Sequence, residues 1–216
     1  MKAYVTYDPW AVLYGGYHLE QRIEEDFKRF NVQQLRPPQQ ALPSPTSLVV
    51  GFDTEYSPTG ILLTVGLADT SSAIAIETSA SGFRRNVSRT IRRVRCIAGH
   101  SVEGDLDYLV KLHLAKEEWL RGERIFDSFL LARMYDENRG KGGYSLQAQF
   151  LSEFNFKPWK RVTEKLLKET GDASTWTTAQ RTTRCRLDAW TTRLLAEHLY
   201  TKVKAQINAI QGKRFT

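Results

Sequence analysis

The chain has 216 residues, of which 41% are hydrophobic and 11% aromatic, which is enough to bury the core of one substantial domain. No run of apolar residues approaches the ~18 needed to cross a bilayer, so neither a membrane span nor a membrane partner is expected. The two cysteines, Cys96 and Cys185, cannot build a disulfide framework, which favours an intracellular, reducing compartment. A formal net charge of +7 favours polyanionic partners, although charge alone does not specify a nucleic acid.

A segment rich in proline and glutamine separates the N-terminal stretch from the rest of the chain. Residues 33–47, QQLRPPQQALPSPTS, are poorly suited to a helix or a strand and indicate a linker. The piece before it contains the helical pattern LEQRIEEDFKRF but is too small to form its own core. We therefore predict an N-terminal extension and linker over residues 1–46, packed on the main body or on a partner, and one domain over residues 47–216.

Strands and helices alternate after this linker. The first three segments are the short β-rich runs SLVVGFD, ILLTVGLA and SAIAIE, separated by turn residues. Residues 82–95 predict an arginine-rich helix, RCIAGH a fourth strand, VEGDLDYLVKLHLAKEEWL a helix and ERIFDS a brief fifth strand. Further helices are predicted over DSFLLARMYDENRG, GGYSLQAQFLSEF and residues 176–200. This order predicts an α/β fold, with a mixed sheet flanked by helices.

The first predicted strand runs from apolar residues directly into two carboxylates, Asp53 and Glu55. Because they are two positions apart on a strand, both side chains point to the same face. Ionised carboxylates are costly to bury unless they are paired or bound to a metal, and Mg²⁺ prefers carboxylate oxygens. Asp-x-Glu alone is common by chance, so the prediction of a metal site needs support from other parts of the chain.

Two further segments supply candidate carboxylates. In IAGHSVEGDLDYLVKL, a strand ends at Gly99 and His100, and Asp105 falls in the first turn of the next helix. In RTTRCRLDAWTTRLLAEHL, Asp188 lies inside a predicted helix, where Asp has low propensity and no cap to make. A surface position is the simplest alternative for Asp188. Several converging carboxylates are what two-metal phosphoryl chemistry requires.

In order and spacing, FDTE, GHSVEGDLDYL and CRLDAWTTRLL resemble the three motifs of the DEDD superfamily of 3′–5′ exonucleases. The segment FDSFLLARMYDENRGKGGYSLQAQF resembles the corresponding part of the proofreading domains of family-A DNA polymerases. The resemblance extends over residues 47–200. It implies an RNase H-like mixed sheet, with three antiparallel strands and then parallel strands. It also implies that two Mg²⁺ or Mn²⁺ ions are held by Asp53, Glu55, Asp105 and Asp188.

The third motif departs from the family pattern, which places a Tyr four residues, or a His five residues, before the last Asp to orient the attacking water. These positions hold Arg184 and Thr183, and arginine stays protonated and cannot act as a base. Three interpretations remain open. Arg184 contacts the scissile phosphate, or it pairs with Asp188 or Glu55 and displaces a metal, or Tyr144 takes over the role of the missing Tyr.

Basic and aromatic residues outside the motifs predict contacts with nucleic acid. Four arginines share one face of the predicted helix, Arg85, Arg89, Arg92 and Arg93, with Arg84 and Arg95 beside it. This face suits phosphate binding, and a merely solvated face is the alternative. FNFKPWKR has the composition of a stacking platform for single strands, although its Trp fits a core position equally well. The predicted contact residues are Tyr56, Arg85, Arg89, Arg92, Arg93, Tyr144, Trp159 and Lys160.

The resemblance implies a metal-dependent 3′–5′ exonuclease acting on single-stranded or frayed 3′ ends. DNA is favoured over RNA because of the segment similar to proofreading domains, and the partner is then a DNA polymerase or another replication protein on a separate chain. The alternative is a catalytically silent module of the same fold that binds nucleic acid or protein, with Arg184 blocking the metal site. A more distant alternative is an unrelated basic α/β protein.

Overall fold

A computed structural model describes residues 38–120, 124–138, 143–155 and 172–213. The predicted N-terminal helix LEQRIEEDFKRF and the predicted contact residues Trp159 and Lys160 lie outside these ranges. Within them, no helix combines the length and the apolar character that a membrane span requires.

A five-stranded mixed sheet forms the centre of the domain. Its strands, in chain order, are β1 (Val49–Tyr56), β2 (Leu62–Ala68), β3 (Ala73–Glu77), β4 (Cys96–Gly99) and β5 (Ile125–Asp127). The order across the sheet is β3-β2-β1-β4-β5. The first three strands pair antiparallel, whereas β4 runs parallel to β1 and β5 parallel to β4. The predicted α/β fold with three antiparallel and then parallel strands is confirmed.

Within the described ranges, five α-helices accompany the sheet: α1 (Phe83–Arg93), α2 (Glu103–Lys111), α3 (Ser128–Tyr135), α4 (Leu146–Phe154) and α5 (Thr178–Lys213). The prediction for α2 was too long. His113 adopts a left-handed φ of 53°, and the backbone N–H groups of Leu114 and Ala115 both donate to the carbonyl of Leu109. This turn ends the helix and buries Leu114 in the core. In contrast, α5 continues well beyond the predicted end near residue 200.

The two faces of β1 are covered by different helices. Val50 and Phe52 pack into an apolar cluster with residues of α1 and α2. Asp53 and Glu55 point to the other face, which α5 covers. The alternation of the strand therefore separates Asp53 and Glu55 from the mainly apolar layer that β1 forms with α1 and α2.

Helix α5 lies directly on the backbone of the sheet at two glycines. A Cβ atom at Gly51 would collide with the carbonyl of Ala189, and one at Gly66 would collide with the carbonyl of Cys185. Both positions therefore need the absence of a side chain. The close approach places the N-terminal half of α5 over the end of β1, where Asp53 and Glu55 are located.

The described part of the predicted linker is bound to the domain. Asp69, at the turn between β2 and β3, accepts hydrogen bonds from the N–H of Ser44 at 2.6 Å and the hydroxyl of Ser47 at 2.9 Å. Gln39 forms an isolated parallel bridge with Ser72. Residues 38–47 are thus fixed along the turn between β2 and β3, next to α1.

Candidate active site

Three of the four predicted carboxylates converge at the end of β1. Asp53 and Glu55 come from β1 and Asp188 from α5, and one ligand oxygen from each lies within 4.8 Å of the other two. Asp188 is buried against the sheet, so the alternative of a surface position is wrong. Three oxygens at this separation form a donor set that a hard divalent cation prefers.

Asp105 approaches the same region from α2 but does not belong to this group of three. Its carboxylate accepts a hydrogen bond from the hydroxyl of Thr54, which lies between Asp53 and Glu55 on β1. Because successive side chains alternate, Thr54 points away from the face that bears those two carboxylates. Thr54 therefore positions Asp105 beside the end of β1, a role that the sequence analysis did not identify.

Burial raises the pKa of three carboxyl groups at this site, those of Asp53, Glu55 and Asp105. The pKa of Asp53 lies well above its usual value because of burial first, and then because of the charges of Asp188, Glu55 and Asp105. Burial also raises the pKa of Glu55 to about 7, against the lowering effect of Arg184. For Asp105, burial raises the pKa to about 7, against the lowering effect of the hydrogen bond from Thr54.

One oxygen of the cluster is left without a partner. Oδ2 of Asp53 is buried and has no hydrogen-bond partner among the described residues. A buried carboxylate oxygen that is neither bonded nor solvated is costly, unless a cation binds it. The carboxylates present therefore fit a divalent metal ion, and Asp53 would be the first ligand for it.

Arg184 lies between two of the three carboxylates. Its Nε is 3.1 Å from Oε1 of Glu55 and 3.2 Å from Oδ2 of Asp188, so it pairs with both. Its guanidinium group also stacks over the ring of Trp176, 5.2 Å from the ring centroid. Nη1 is buried and has no hydrogen-bond partner within the described residues. The guanidinium group is thus held by the two carboxylates and by the ring of Trp176, and its Nη1 has no acceptor among the described residues.

Two residues near the site have structural roles. His100 bonds through Nδ1 to the hydroxyl of Ser128 at 2.8 Å and through Nε2 to the carbonyl of Tyr144 at 2.9 Å, as expected of a core histidine rather than a metal ligand. Asp127 caps α3 by accepting a hydrogen bond from the N–H of Phe129. The hydroxyl of Tyr144 donates to the carbonyl of Asp136 at 2.6 Å, so in this arrangement it is engaged away from the carboxylates.

An aromatic pair borders the carboxylates. Tyr56 directly follows Glu55 and is 47% exposed. Its ring stacks on that of Tyr108, with centroids 5.3 Å apart and an interplanar angle of 30°. Tyr108 lies one helical turn after Asp105 on α2, which explains why two aromatic rings from different elements meet beside the site.

The predicted arginine contacts lie on the opposite face of the sheet from α5. Arg85, Arg89, Arg92 and Arg93 are exposed on α1 and line an open recess of about 610 Å³. No acidic side chain in the described ranges forms an ion pair with them. Their charges are therefore not offset by carboxylates of the described residues, although Arg92 stacks over the ring of Trp119. They lie on the other face of the sheet from Asp53, Glu55 and Asp188.

Sequence comparison gives no match to a protein-family model or to a curated protein. Comparison of structures does give matches. The Nibbler EXO domain of Aedes aegypti has a TM-score of 0.51 at 16% identity, over 77% of this chain and 82% of that one. RNase D of Escherichia coli, an exoribonuclease involved in structured RNA processing, has a TM-score of 0.52 at 13% identity, over 95% of this chain and 46% of that one.

The catalytic core of RRP6 from Trypanosoma brucei gives a TM-score of 0.56 at 12% identity, over 90% of this chain and 58% of that one. The chain thus spans about half the length of the RNase D and RRP6 structures. At these identities the matches concern the fold. The chain has the mixed α/β fold of these structures, the RNase H-like fold that the resemblance of its motifs implies.

Proposed function

We propose that the chain is a metal-dependent 3′–5′ exonuclease, a phosphodiester hydrolase that removes nucleotides from 3′ ends. The observation that carries the proposal is the convergence of Asp53, Glu55 and Asp188 within 4.8 Å at the end of β1. The buried, unpartnered oxygen of Asp53 supports a bound cation at that point. The shared fold adds support but does not by itself assign an activity.

In the proposed reaction, the oxygen of a water molecule attacks the phosphorus of the last phosphodiester. The bond to the 3′-oxygen breaks, and that oxygen takes up a proton. The products are a nucleoside 5′-monophosphate and a strand shorter by one nucleotide. Mg²⁺ or Mn²⁺, when bound by the carboxylates, supplies positive charge at the phosphate. The guanidinium of Arg184, which lies between Glu55 and Asp188, adds a further positive charge there.

The proposed substrate is a single-stranded or frayed 3′ end. The stacked pair of Tyr56 and Tyr108 offers a flat aromatic surface beside the carboxylates, which suits an unpaired base of any sequence. DNA is favoured because the segment between the second and third motifs resembles polymerase proofreading domains, and proofreading for a polymerase on another chain is part of the proposal. RNase D, which shares the fold, acts on RNA, so substrate class is tested directly.

The deciding experiment follows a 5′-labelled single-stranded DNA oligonucleotide with Mg²⁺ or Mn²⁺. We expect a ladder of products shortened from the 3′ end. Asp53→Asn should abolish the ladder, whereas Asp107→Asn should leave it unchanged, because the ion pair that Asp107 forms among the described residues is with exposed Lys111 on α2. An RNA oligonucleotide of the same sequence identifies the preferred substrate. Failure of the unmodified protein to shorten either strand would contradict the proposal.

The remaining predicted contacts on a longer strand are the α1 arginines Arg85, Arg89, Arg92 and Arg93, together with Tyr144, Trp159 and Lys160. The arginines can be tested through salt dependence, because each lost phosphate contact on a single strand reduces the slope of log K against log salt by about 0.7. Arg89→Gln with Arg93→Gln should therefore lower the slope by about 1.4. The control is Lys116→Gln with Arg133→Gln, which removes the same charge from other exposed positions. Equal slopes for the two double variants would exclude these arginines.

A second candidate function is a silent module that binds nucleic acid or protein without cutting. The observation that favours it is the pairing of Arg184 with both Glu55 and Asp188 at 3.1 and 3.2 Å. Such a module would bind a fluorescent oligonucleotide equally well with Mn²⁺ and with a chelator, and would leave it intact. Affinity that rises with Mn²⁺, accompanied by cleavage, would exclude it.

A further inference from the structure

Arg184 brings a permanent positive charge into a cluster that should attract metal ions. Asp53, Glu55 and Asp188 carry three formal negative charges, and the guanidinium offsets one of them. The two charges that remain match a single divalent ion. A second divalent ion at the same three carboxylates would leave the protein site with excess positive charge.

We propose that Arg184 stands in for one of two divalent ions, so that the site binds a single ion through Asp53. This inference rests on the proposed nuclease function and specifies how its metal centre is composed. The guanidinium serves as the cation for Glu55 and Asp188, and the metal ion serves as the cation for Asp53.

The position of the guanidinium supports this division. Nε lies at nearly equal distances from Glu55 and Asp188, 3.1 and 3.2 Å, so it forms an ion pair with both, and it donates a hydrogen bond to Asp188. The side chain is 18% exposed and stacks on Trp176, so it is enclosed rather than freely swinging. An ion bound by Glu55 and Asp188 together would have to break both contacts and displace a buried charge from its partners, which is costly.

The carboxylate oxygens that are not paired with Arg184 suit one metal ion better than two. Oδ2 of Asp53 is the buried carboxylate oxygen of the cluster that has no partner among the described residues. Asp105, the remaining acidic residue, is bonded to Thr54 and lies outside the group of three. Two-metal sites hold their ions ~3.5–4 Å apart between several shared carboxylates, and here two of the carboxylates are already paired with Arg184.

Mn²⁺ binding to the whole 216-residue chain tests the proposal without relying on activity. Calorimetric titration of the metal-free protein should give one bound ion, and the electron paramagnetic resonance spectrum should be that of an isolated Mn²⁺. Arg184→Gln should bind two ions and show the spectrum of a coupled pair. Arg186→Gln, which removes a charge from the same helix outside the cluster, should behave as the unmodified protein.

Two Mn²⁺ ions in the unmodified protein, or one ion in both the unmodified protein and Arg184→Gln, would overturn the proposal. Arg184→Lys guards against a variant that fails to fold, because it keeps the charge and should still bind one ion. Two ions in Arg184→Lys would also count against it. These outcomes differ from failure of the proposed function: an active enzyme with two ions removes only the role of Arg184, whereas a protein that binds no ion and cuts no strand removes both.

Discussion

Helix α5 takes part in two buried arginine–carboxylate groups, and these groups differ in their balance of positive and negative charge. Arg193 pairs with Glu197 one turn later on the same helix, and the two side chains are only 2% and 6% exposed. Nε of Arg193 also donates to the carbonyl of Val49 on β1 at 3.1 Å. One positive charge meets one negative charge, and both are enclosed by the core.

Arg184 lies more than two helical turns before Arg193 on α5. It is shared between Glu55 and Asp188, and Asp53 lies in the same cluster. Negative charge is in excess in this cluster, because one guanidinium is shared among three carboxylates. A balanced buried pair needs no further ligand, whereas an unbalanced one does. Charge balance, rather than the presence of buried charge, therefore separates the structural pair from the candidate active site.

The largest effect is expected when the unbalanced cluster loses its unpartnered carboxylate. Asp53→Asn removes the oxygen charge proposed to bind the metal, so we expect the exonuclease rate to fall by roughly 10³-fold or more. The same change removes repulsion from Glu55 and Asp188, so the metal-free protein should melt at a higher temperature. Single-turnover cleavage and thermal denaturation without divalent ions measure the two effects.

These opposite signs make the prediction specific. A variant that is less active only because it is misfolded would lose both activity and melting temperature. Asp107→Asn, outside the cluster, should change neither quantity appreciably. An Asp53→Asn protein that melts lower than the unmodified protein would show that repulsion among the carboxylates is not significant in the metal-free state.

The balanced pair should respond in the reverse way. Arg193→Met leaves Glu197 as a buried charge without its arginine, which should lower the free energy of unfolding by ~3–5 kcal/mol. Replacing both residues, Arg193→Met with Glu197→Leu, should recover most of that loss because neither position of the pair then carries a charge. Denaturant titration measures all three proteins. A double variant as unstable as the single one would mean that the pair contributes more than charge compensation.

The strands can be predicted from local sequence patterns, whereas the full carboxylate cluster cannot. Short β-rich runs bounded by turn residues predict the strands, because a strand's pattern is local. The two-residue period of β1 places Asp53 and Glu55 on one face for the same reason. The meeting of Asp188 with these two depends on how α5 packs on the sheet, and it was predicted only through the resemblance to a known family.

Contacts between distant positions account for what was missed. Thr54 and Asp105 are separated by 51 residues, and no local pattern connects a hydroxyl on β1 with a carboxylate on α2. Trp176 precedes α5 and stacks on Arg184 only because of the turn at Ala173–Thr175. The early end of α2 depends on the left-handed conformation of His113, and a histidine in the sequence does not predict that conformation.

The carboxylates at the end of β1 should also make the stability of the protein depend on pH. The pKa of Glu55 and that of Asp105 are each raised to about 7 in the folded protein, mainly by burial. Because these values exceed those of the unfolded chain, their contribution to stability is present at low pH and is lost as the pH rises through about 7. A divalent ion offsets the ionised carboxylates, so Mn²⁺ should raise the melting temperature more at about pH 8 than at about pH 5.5.

The double variant Arg193→Met with Glu197→Leu serves as the comparison in this experiment. It removes only the balanced pair, so the difference between the Mn²⁺ effects at the two pH values should persist unchanged. In Asp53→Asn the Mn²⁺ effect should be strongly reduced at both. An Mn²⁺ effect independent of pH would indicate that the ion binds somewhere other than the cluster.

The smallest effect is expected from the hydroxyl that supports Asp105. Thr54→Val keeps the shape of the side chain but removes the donor, and a net hydrogen bond to a charged group is worth about 1.5–3 kcal/mol at most. Since that bond lowers the pKa of Asp105, its loss should raise the pKa further and leave less carboxylate ionised near neutral pH. We expect a roughly 3–10-fold lower exonuclease rate near neutral pH, with recovery as the pH is raised.

Thr54→Ser separates the hydroxyl from the methyl group, because it retains the donor and loses only the branch. Its pH–rate profile should coincide with that of the unmodified protein, whereas the profile of Thr54→Val should be displaced to higher pH. Equal losses in both variants, with no displacement, would assign the effect to packing under β1 instead of to the bond with Asp105. The displaced profile would place Asp105, which lies outside the group of three, among the residues whose ionisation controls the reaction.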